Sequence, residues 1–300
     1  MLETRDLTIR FGGHVAVDRV SCRFDPGTLT AIVGPNGAGK TTYFNLISGQ
    51  LPATQGQVLL DGEDLSSLPA PLRTRKGLGR AFQLTQLFPH LTVQENVRLA
   101  VQAREQGRGM APPAAGASTP RGGHVRLGAA RRRPWLGLDL LKVWLDRDEW
   151  IAQARHILQD VRLLDKADAP AASLPHGDQR KLEVALLIAL DPKVFMLDEP
   201  TAGMSVDEVP VILELIRGLK RRSDRTILLV EHKMDVVREL ADRIVVLHNG
   251  QLVADGPPAE VIASPVVQQA YLGLPAELGP TAQDRSPPRP LPSERGGHPA

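Results

Sequence analysis

With 300 residues, 42% of them hydrophobic, the chain is long enough to bury a substantial core. Its 36 Lys and Arg against 34 Asp and Glu leave a formal charge of only +2, which argues against a strongly basic nucleic-acid binder. The single cysteine, Cys22, excludes a disulfide framework and any multi-cysteine zinc or iron–sulfur site.

In chain order, residues 2–10 alternate as a strand does, and Val-Ser-Cys22-Arg-Phe reads as a second strand with the cysteine as a small apolar filler. Residues 28–33 form a compact apolar run that ends at a glycine-rich turn. Residues 41–49 then read as a helix and 57–60 as a strand closed by the Asp61-Gly62 turn. Strand, glycine loop and helix in that order predict a βα unit, hence an α/β fold with a parallel sheet.

Residues 107–134 differ: they hold six Gly, six Ala, four Pro and six Arg, no acidic residue and no periodicity. They read as a flexible basic insertion, either a tolerated surface loop or one whose arginines reach anionic lipid headgroups. Helical spacing returns over 135–165. Residues 209–219 predict an amphipathic helix, and 226–230 and 243–247 are short β-branched strands. From 275 to 300, seven prolines and almost no large apolar side chain predict a disordered tail. The insertion and the tail account for much of a glycine and proline content (27 and 25 residues) above the usual combined share of about 12%. The N-terminus lacks an apolar leader core, and the longest plain apolar run, 184–190, is far short of the ~20 residues of a membrane helix. This predicts a soluble cytosolic protein or one held at a membrane by a partner.

Gly34-Pro35-Asn36-Gly37-Ala38-Gly39-Lys40-Thr41-Thr42 fits the pattern G-x-x-x-x-G-K-[ST]. Its glycines let backbone N–H groups turn inward around phosphate oxygens, and the following helix adds its positive end. Lys40 reaches the β and γ phosphates, and the Thr41 hydroxyl can ligate Mg²⁺. A second element, Val194-Phe195-Met196-Leu197-Asp198-Glu199, is an apolar strand closed by two acids. An aspartate there holds Mg²⁺ in phosphate-loop proteins, and the adjacent glutamate can orient water. His232 follows another apolar strand, and Gln83 lies in Gly-Arg-Ala-Phe-Gln-Leu-Thr-Gln; neither is distinctive alone.

Together, in order, these motifs resemble the ATP-binding cassette (ABC) ATPase family over residues 2–274. More narrowly the chain is similar to the ATP-binding subunit of branched-chain amino acid importers, with urea/amide importers and the lipopolysaccharide exporter as near relatives. The stretches that carry this are R-F-G-G-H-V-A-V-D, G-L-G-R-A-F-Q-L-T-Q-L-F-P-H-L-T-V-Q-E-N-V, H-G-D-Q-R-K-L-E-V-A, D-E-P-T-A-G-M, V-E-H-K-M-D-V-V and V-V-Q-Q-A-Y-L-G.

The resemblance implies a RecA-like parallel-sheet core with an antiparallel β subdomain. It adds a helical signature subdomain at about 84–190. It implies that Phe11 stacks on adenine, that 34–42 bind the triphosphate, and that Thr41, Gln83 and Asp198 serve Mg²⁺ and its waters. Glu199 is then the water-orienting base and His232 the contact to the γ-phosphate. Leu174-Pro175-His176-Gly177-Asp178-Gln179 stands at the signature position, which binds the ATP held by a second ATPase subunit. That arrangement fits the absence of an internal repeat. The partners implied are that second subunit, identical or similar, two membrane permeases and, indirectly, an extracytoplasmic solute-binding protein. No nucleic acid is implied, and the location is peripheral, on the cytoplasmic face of the inner membrane. Residues 82–99 would help form the permease-docking surface. Two departures stand out: Pro175 replaces the usual serine, and Ser205 follows Ala-Gly-Met where Asp or Asn is usual.

Overall fold

The protein is described here from a computed structural model, which covers residues 1–81, 87–109 and 136–272. Gln83, most of the expected basic insertion and the 275–300 tail lie outside the described residues.

Five strands run parallel in the central sheet: β3 (Leu29–Val33), β6 (Leu78–Ala81), β7 (Val194–Asp198), β8 (Thr226–Val230) and β9 (Arg243–His248). The order is β10-β9-β3-β8-β7-β6, with β10 (Gln251–Gly256) antiparallel at the edge. Every residue of β3, β7 and β8 is buried, which is why these strands read as unbroken apolar runs rather than alternating ones. A second, antiparallel sheet has the order β2-β1-β4-β5: β1 (Leu2–Phe11), β2 (His14–Phe24), β4 (Gln55–Leu60) and β5 (Glu63–Asp64).

Helix α1 (Lys40–Ser48) lies between the two sheets, and Tyr43, Phe44, Leu46 and Ile47 fill the core they share with Phe24, Met196 and Val230. The other face of the central sheet is covered by α5 (His176–Leu190), α6 (Val209–Lys220) and α7 (Met234–Leu240) through Leu187, Ile212, Ile216 and Val236. A separate core joins α3 (Val93–Gly109), α4 (Leu136–Asp160) and α5 around Val97, Val101, Trp150, Leu158 and Leu182. The remaining helices are α2 (Ala70–Lys76), α8 (Pro258–Ala263) and α9 (Pro265–Leu272). Among the described residues no helix is long and apolar enough to cross a membrane.

Most of the expected strands and helices fall within two residues of these bounds, but β2 begins at His14, six residues before the strand read at 20–24, and α4 ends at Asp160, five residues short of the helical stretch read over 135–165. Helix α3 instead runs through Gly109, three residues into the stretch read as aperiodic insertion. Its start is fixed by a reciprocal cap: Glu95 N–H donates to Thr92 Oγ1, while Glu95 Oε2 accepts the Thr92 N–H. Cys22 is buried, and burial pushes its thiol up to about 11, which suits an inert filler.

The C-terminal end of α1 is closed by a side chain from α2. Arg73, 2% exposed, donates through Nη1 to Leu46 O and Ile47 O (2.7 and 2.8 Å). Its Nε donates to Leu68 O (2.8 Å) and its Nη2 to Ser66 O (2.9 Å). These four carbonyls have few other donors, and a cation at a helix C-terminus also opposes the helix dipole. Replacement Arg73→Met strands them and is expected to cost about 3 kcal/mol in urea unfolding. An unchanged midpoint would rule out this clamp.

Candidate functional site

Parallel alignment brings three strand ends to one edge of the central sheet, the place where open α/β sheets bind ligands. Asp198 pairs with Val230 and Ile32 with Val230, so Asp198, the residues after β8 and the loop after β3 begin side by side.

The loop between β3 and α1 demands its glycines. Gly34 has φ 153°, and a Cβ there would lie 2.1 Å from Leu247 O; Gly39 has φ 96°, and its Cβ would lie 2.5 Å from Ala16 O. At Gly37 (φ 79°) a Cβ would meet nothing within 4 Å, so the exposed tip of the loop borders open space. Thr41 is exposed in the first turn of α1. Lys40 is buried, and its Nζ donates to Gly34 O (2.7 Å) and Pro35 O (2.9 Å), folding the ammonium into the loop. Burial lowers its pKa, with the carboxylates of Glu199 and Asp198 pulling the other way. Such a loop can cradle a polyphosphate.

Asp198 is 2% exposed. Its Oδ2 accepts Nη2 of Arg80 at 2.7 Å, while Oδ1 has no hydrogen-bond partner among the described residues. A buried, orphaned carboxylate oxygen beside a phosphate loop suits Mg²⁺ or one of its waters. Glu199 has φ 50°, left-handed for a residue with a Cβ, a strain of about 1–2 kcal/mol. Its N–H donates to Val230 O (2.9 Å) and its carbonyl accepts the Ala202 N–H (3.0 Å). Its Oε1 lies 2.8 Å from Nε2 of His232, so the acid after β7 and the histidine after β8 close on each other.

Two further residues brace these strand ends without a distinctive local signal that singles them out in the sequence: Glu231 beside His232 and Arg80 beside Asp198. Glu231, 3% exposed, accepts the His232 N–H at Oε2 (2.8 Å) and is hydrogen-bonded through Oε1 to the Thr201 hydroxyl. A charged residue directly after an apolar strand was the available signal. Arg80 lies in the Gly-Arg-Ala-Phe-Gln stretch, but nothing local to the sequence shows that it reaches Asp198.

The stretch 174–179 lies apart from the phosphate loop; among the described residues no hydrogen bond joins the two. Pro175 precedes α5 in the N-cap position and supplies no side-chain cap, so only backbone N–H groups point from the helix start. The helix start packs on its own chain's segment after Glu199. A Cβ on Gly177 would lie 2.3 Å from both oxygens of Glu208, and one on Gly203 2.9 Å from the His176 ring. Hydrogen bonds from the Ser205 N–H and hydroxyl hold the Glu208 carboxyl below its usual pKa. Asp178 is opposed by burial, but Lys166 and Lys181 outweigh it and lower its pKa. Gln179 Nε2 donates to Leu174 O at 2.9 Å. Phe11, at the end of β1, is half-exposed and free to stack on a planar ring.

Comparison with known proteins agrees with this geometry. The model of the ABC transporter family matches residues 17–202, and that described as branched-chain amino acid ATP-binding cassette transporter matches 251–276. The chain is 36% identical over 273 residues to the high-affinity branched-chain amino acid transport ATP-binding protein LivG of Escherichia coli K12. It has the same identity to BraF of Pseudomonas aeruginosa, which bears the same description. In each case 91% of this chain and 98% of the relative are covered. The solved ADP conformation of MJ1267, an ATP-binding cassette of an ABC transporter, superposes with a TM-score of 0.70 at 28% identity, covering 91% of this chain and 99% of that one. With buried parallel strands, a glycine-bound phosphate loop and a paired acid and histidine at their ends, and with relatives matched over 91% of its length, the chain belongs to the ABC transporter family as one of its ATP-binding cassettes.

Proposed function

We propose that this chain is the ATP-hydrolysing subunit of an importer for branched-chain or related amino acids. The observation that carries the reading is the closed Glu199–His232 pair standing beside the loop that holds Lys40. The 36% identity to LivG and BraF supports the class of solute.

In this reading residues 34–42 wrap the triphosphate, with loop N–H groups and Nζ of Lys40 facing its oxygens and Phe11 under the adenine. Thr41, Asp198 and Gln83, the last outside the described residues, would hold Mg²⁺, which supplies positive charge against the β and γ phosphates. Because His232 occupies Oε1 of Glu199, Oε2 is the oxygen left to orient the attacking water and take its proton. His232 steadies that carboxylate and contacts the γ-phosphate. Among the described residues no hydrogen bond joins 174–179 to their own phosphate loop, which supports a role toward ATP held by a second ATPase subunit. Residues 1–274 then form one cassette with a helical part at about 84–190. That part meets two membrane permeases, and a solute-binding protein acts beyond them. Phe88, 57% exposed on a turn braced by Asn96, belongs to the docking face. The protein is peripheral, on the cytoplasmic face of the membrane.

Replacing Glu199 with Gln is expected to preserve ATP binding, lower hydrolysis by about 10²–10⁴-fold and trap a closed dimer on gel filtration. Full turnover would remove Glu199 from its role. Pro175 makes no side-chain cap, and a serine there could add one, so Pro175→Ser should hydrolyse ATP as fast as the parent or faster; a collapse would sink the reading of 174–179. In vesicles carrying the subunit with its permeases, ATP should drive uptake of radiolabelled leucine. Urea uptake without leucine uptake would overturn the solute class while leaving the ATPase intact. Recovery with ribosomes or DNA in place of permeases would overturn the transport role.

A further inference from the structure

Arg80 carries a feature that none of the motifs explains. It sits on β6, opposite Met196 of β7, and its side chain is 7% exposed beside an Asp198 side chain with no exposure. Its guanidinium serves two sides at once. Nη2 donates to Asp198 Oδ2 (2.7 Å); Nη1 donates to Asn45 Oδ1 (2.6 Å), Ser48 Oγ (3.1 Å) and Gln50 Oε1 (3.1 Å). The plane also lies 5.6 Å from the centre of the Phe44 ring. Phe44, Asn45 and Ser48 belong to the last turns of α1, whose first turn carries Lys40 and Thr41.

We propose that Arg80 is a positioning residue of the ATPase, tying the acid at the end of β7 to the helix that follows the phosphate loop. The inference rests on the ATPase reading above. Three physical points support it. First, a buried carboxylate needs a cation. Arg80 is the cation that donates to it, while Nζ of Lys40 is turned to Gly34 O and Pro35 O. Second, the contact is through one oxygen only. A bidentate pair would consume both, whereas this one leaves Oδ1 without a protein donor among the described residues. Third, the planar fork lets separate nitrogens grip the acid and α1 together, which a lysine's single nitrogen cannot do in the same geometry. Arg80 thereby fixes the distance between the residue expected to face Mg²⁺ and the helix expected to bear the phosphates.

The test compares the parent with Arg80→Gln and with Asn45→Leu, which loosens the grip on α1 but keeps the buried ion pair. Fluorescent ADP is titrated with Mg²⁺ and again in EDTA, and ATPase activity is followed against Mg²⁺ concentration. Arg80→Gln is expected to raise the Mg²⁺ half-saturation and to weaken ADP binding in Mg²⁺ by about 10-fold, as loss of an outer partner of a metal ligand does. Binding in EDTA should change far less. Asn45→Leu should show the same split at smaller size, and it decides the matter if Arg80→Gln does not fold. Equal loss with and without Mg²⁺, or no change in either variant, overturns the proposal. A parent protein that binds ADP but never hydrolyses ATP would instead overturn the ATPase reading.

Discussion

Asp198 ends a strand in which every residue is buried, and its own side chain has no exposure. Water cannot solvate that charge, so the fold must supply a cation, and Arg80 from the neighbouring strand does so. The pairing in turn fixes what surrounds it. Nη1 of Arg80 donates to Asn45, Ser48 and Gln50 at and just beyond the end of α1, so the helix is held to the same place as the acid. Lys40, at the other end of that helix, stays folded over Gly34 O and Pro35 O.

Precision at the sheet edge comes at the cost of backbone strain. Glu199 is held left-handed, as Gly would be more easily, and the bonds to Val230 and from Ala202 fix it there. The strain turns the chain sharply enough for the carboxylate to meet His232. Glu231 then locks the histidine's backbone and grips Thr201 on the opposite turn, so the two strand ends are joined by side chains as well as by the sheet ladder. Steric exclusion does the same for the phosphate loop: Leu247 O and Ala16 O approach so closely that only glycine fits at 34 and 39.

What could be read from the sequence follows from how local each feature is. The phosphate loop is contiguous, and its glycines announce positive φ wherever they stand, so Gly34 to Thr42 was legible without any structure. Asp198-Glu199 was legible because two acids after an apolar run conflict with burial unless a cation is near. The fully buried strands betray the parallel sheet in the same way. Arg80, Glu231 with Thr201, and Glu208 against Gly177 were not legible. Each contact spans 30 or more residues between elements whose register only the folded sheet defines, and arginine or glutamate after a strand is common on any surface. Arg73 escaped for the same reason: a basic residue in a short helix looks solvated until α1 ends beside it.

The start of α5 shows the same division between backbone and side chain. A serine at 175 would add one hydroxyl acceptor to cap the helix, but a proline leaves the entry fixed by its ring and φ −56°. The N–H groups that follow are unaffected, because proline lacks only its own. Gly177 is constrained by close approach and not by φ, since the Glu208 carboxylate fills the space a Cβ would need. The sequence thus changes at the position whose contribution is a side chain and keeps glycine at the position whose contribution is backbone clearance. In the role proposed for 174–179, a surface that works through main-chain donors tolerates the first kind of change and not the second.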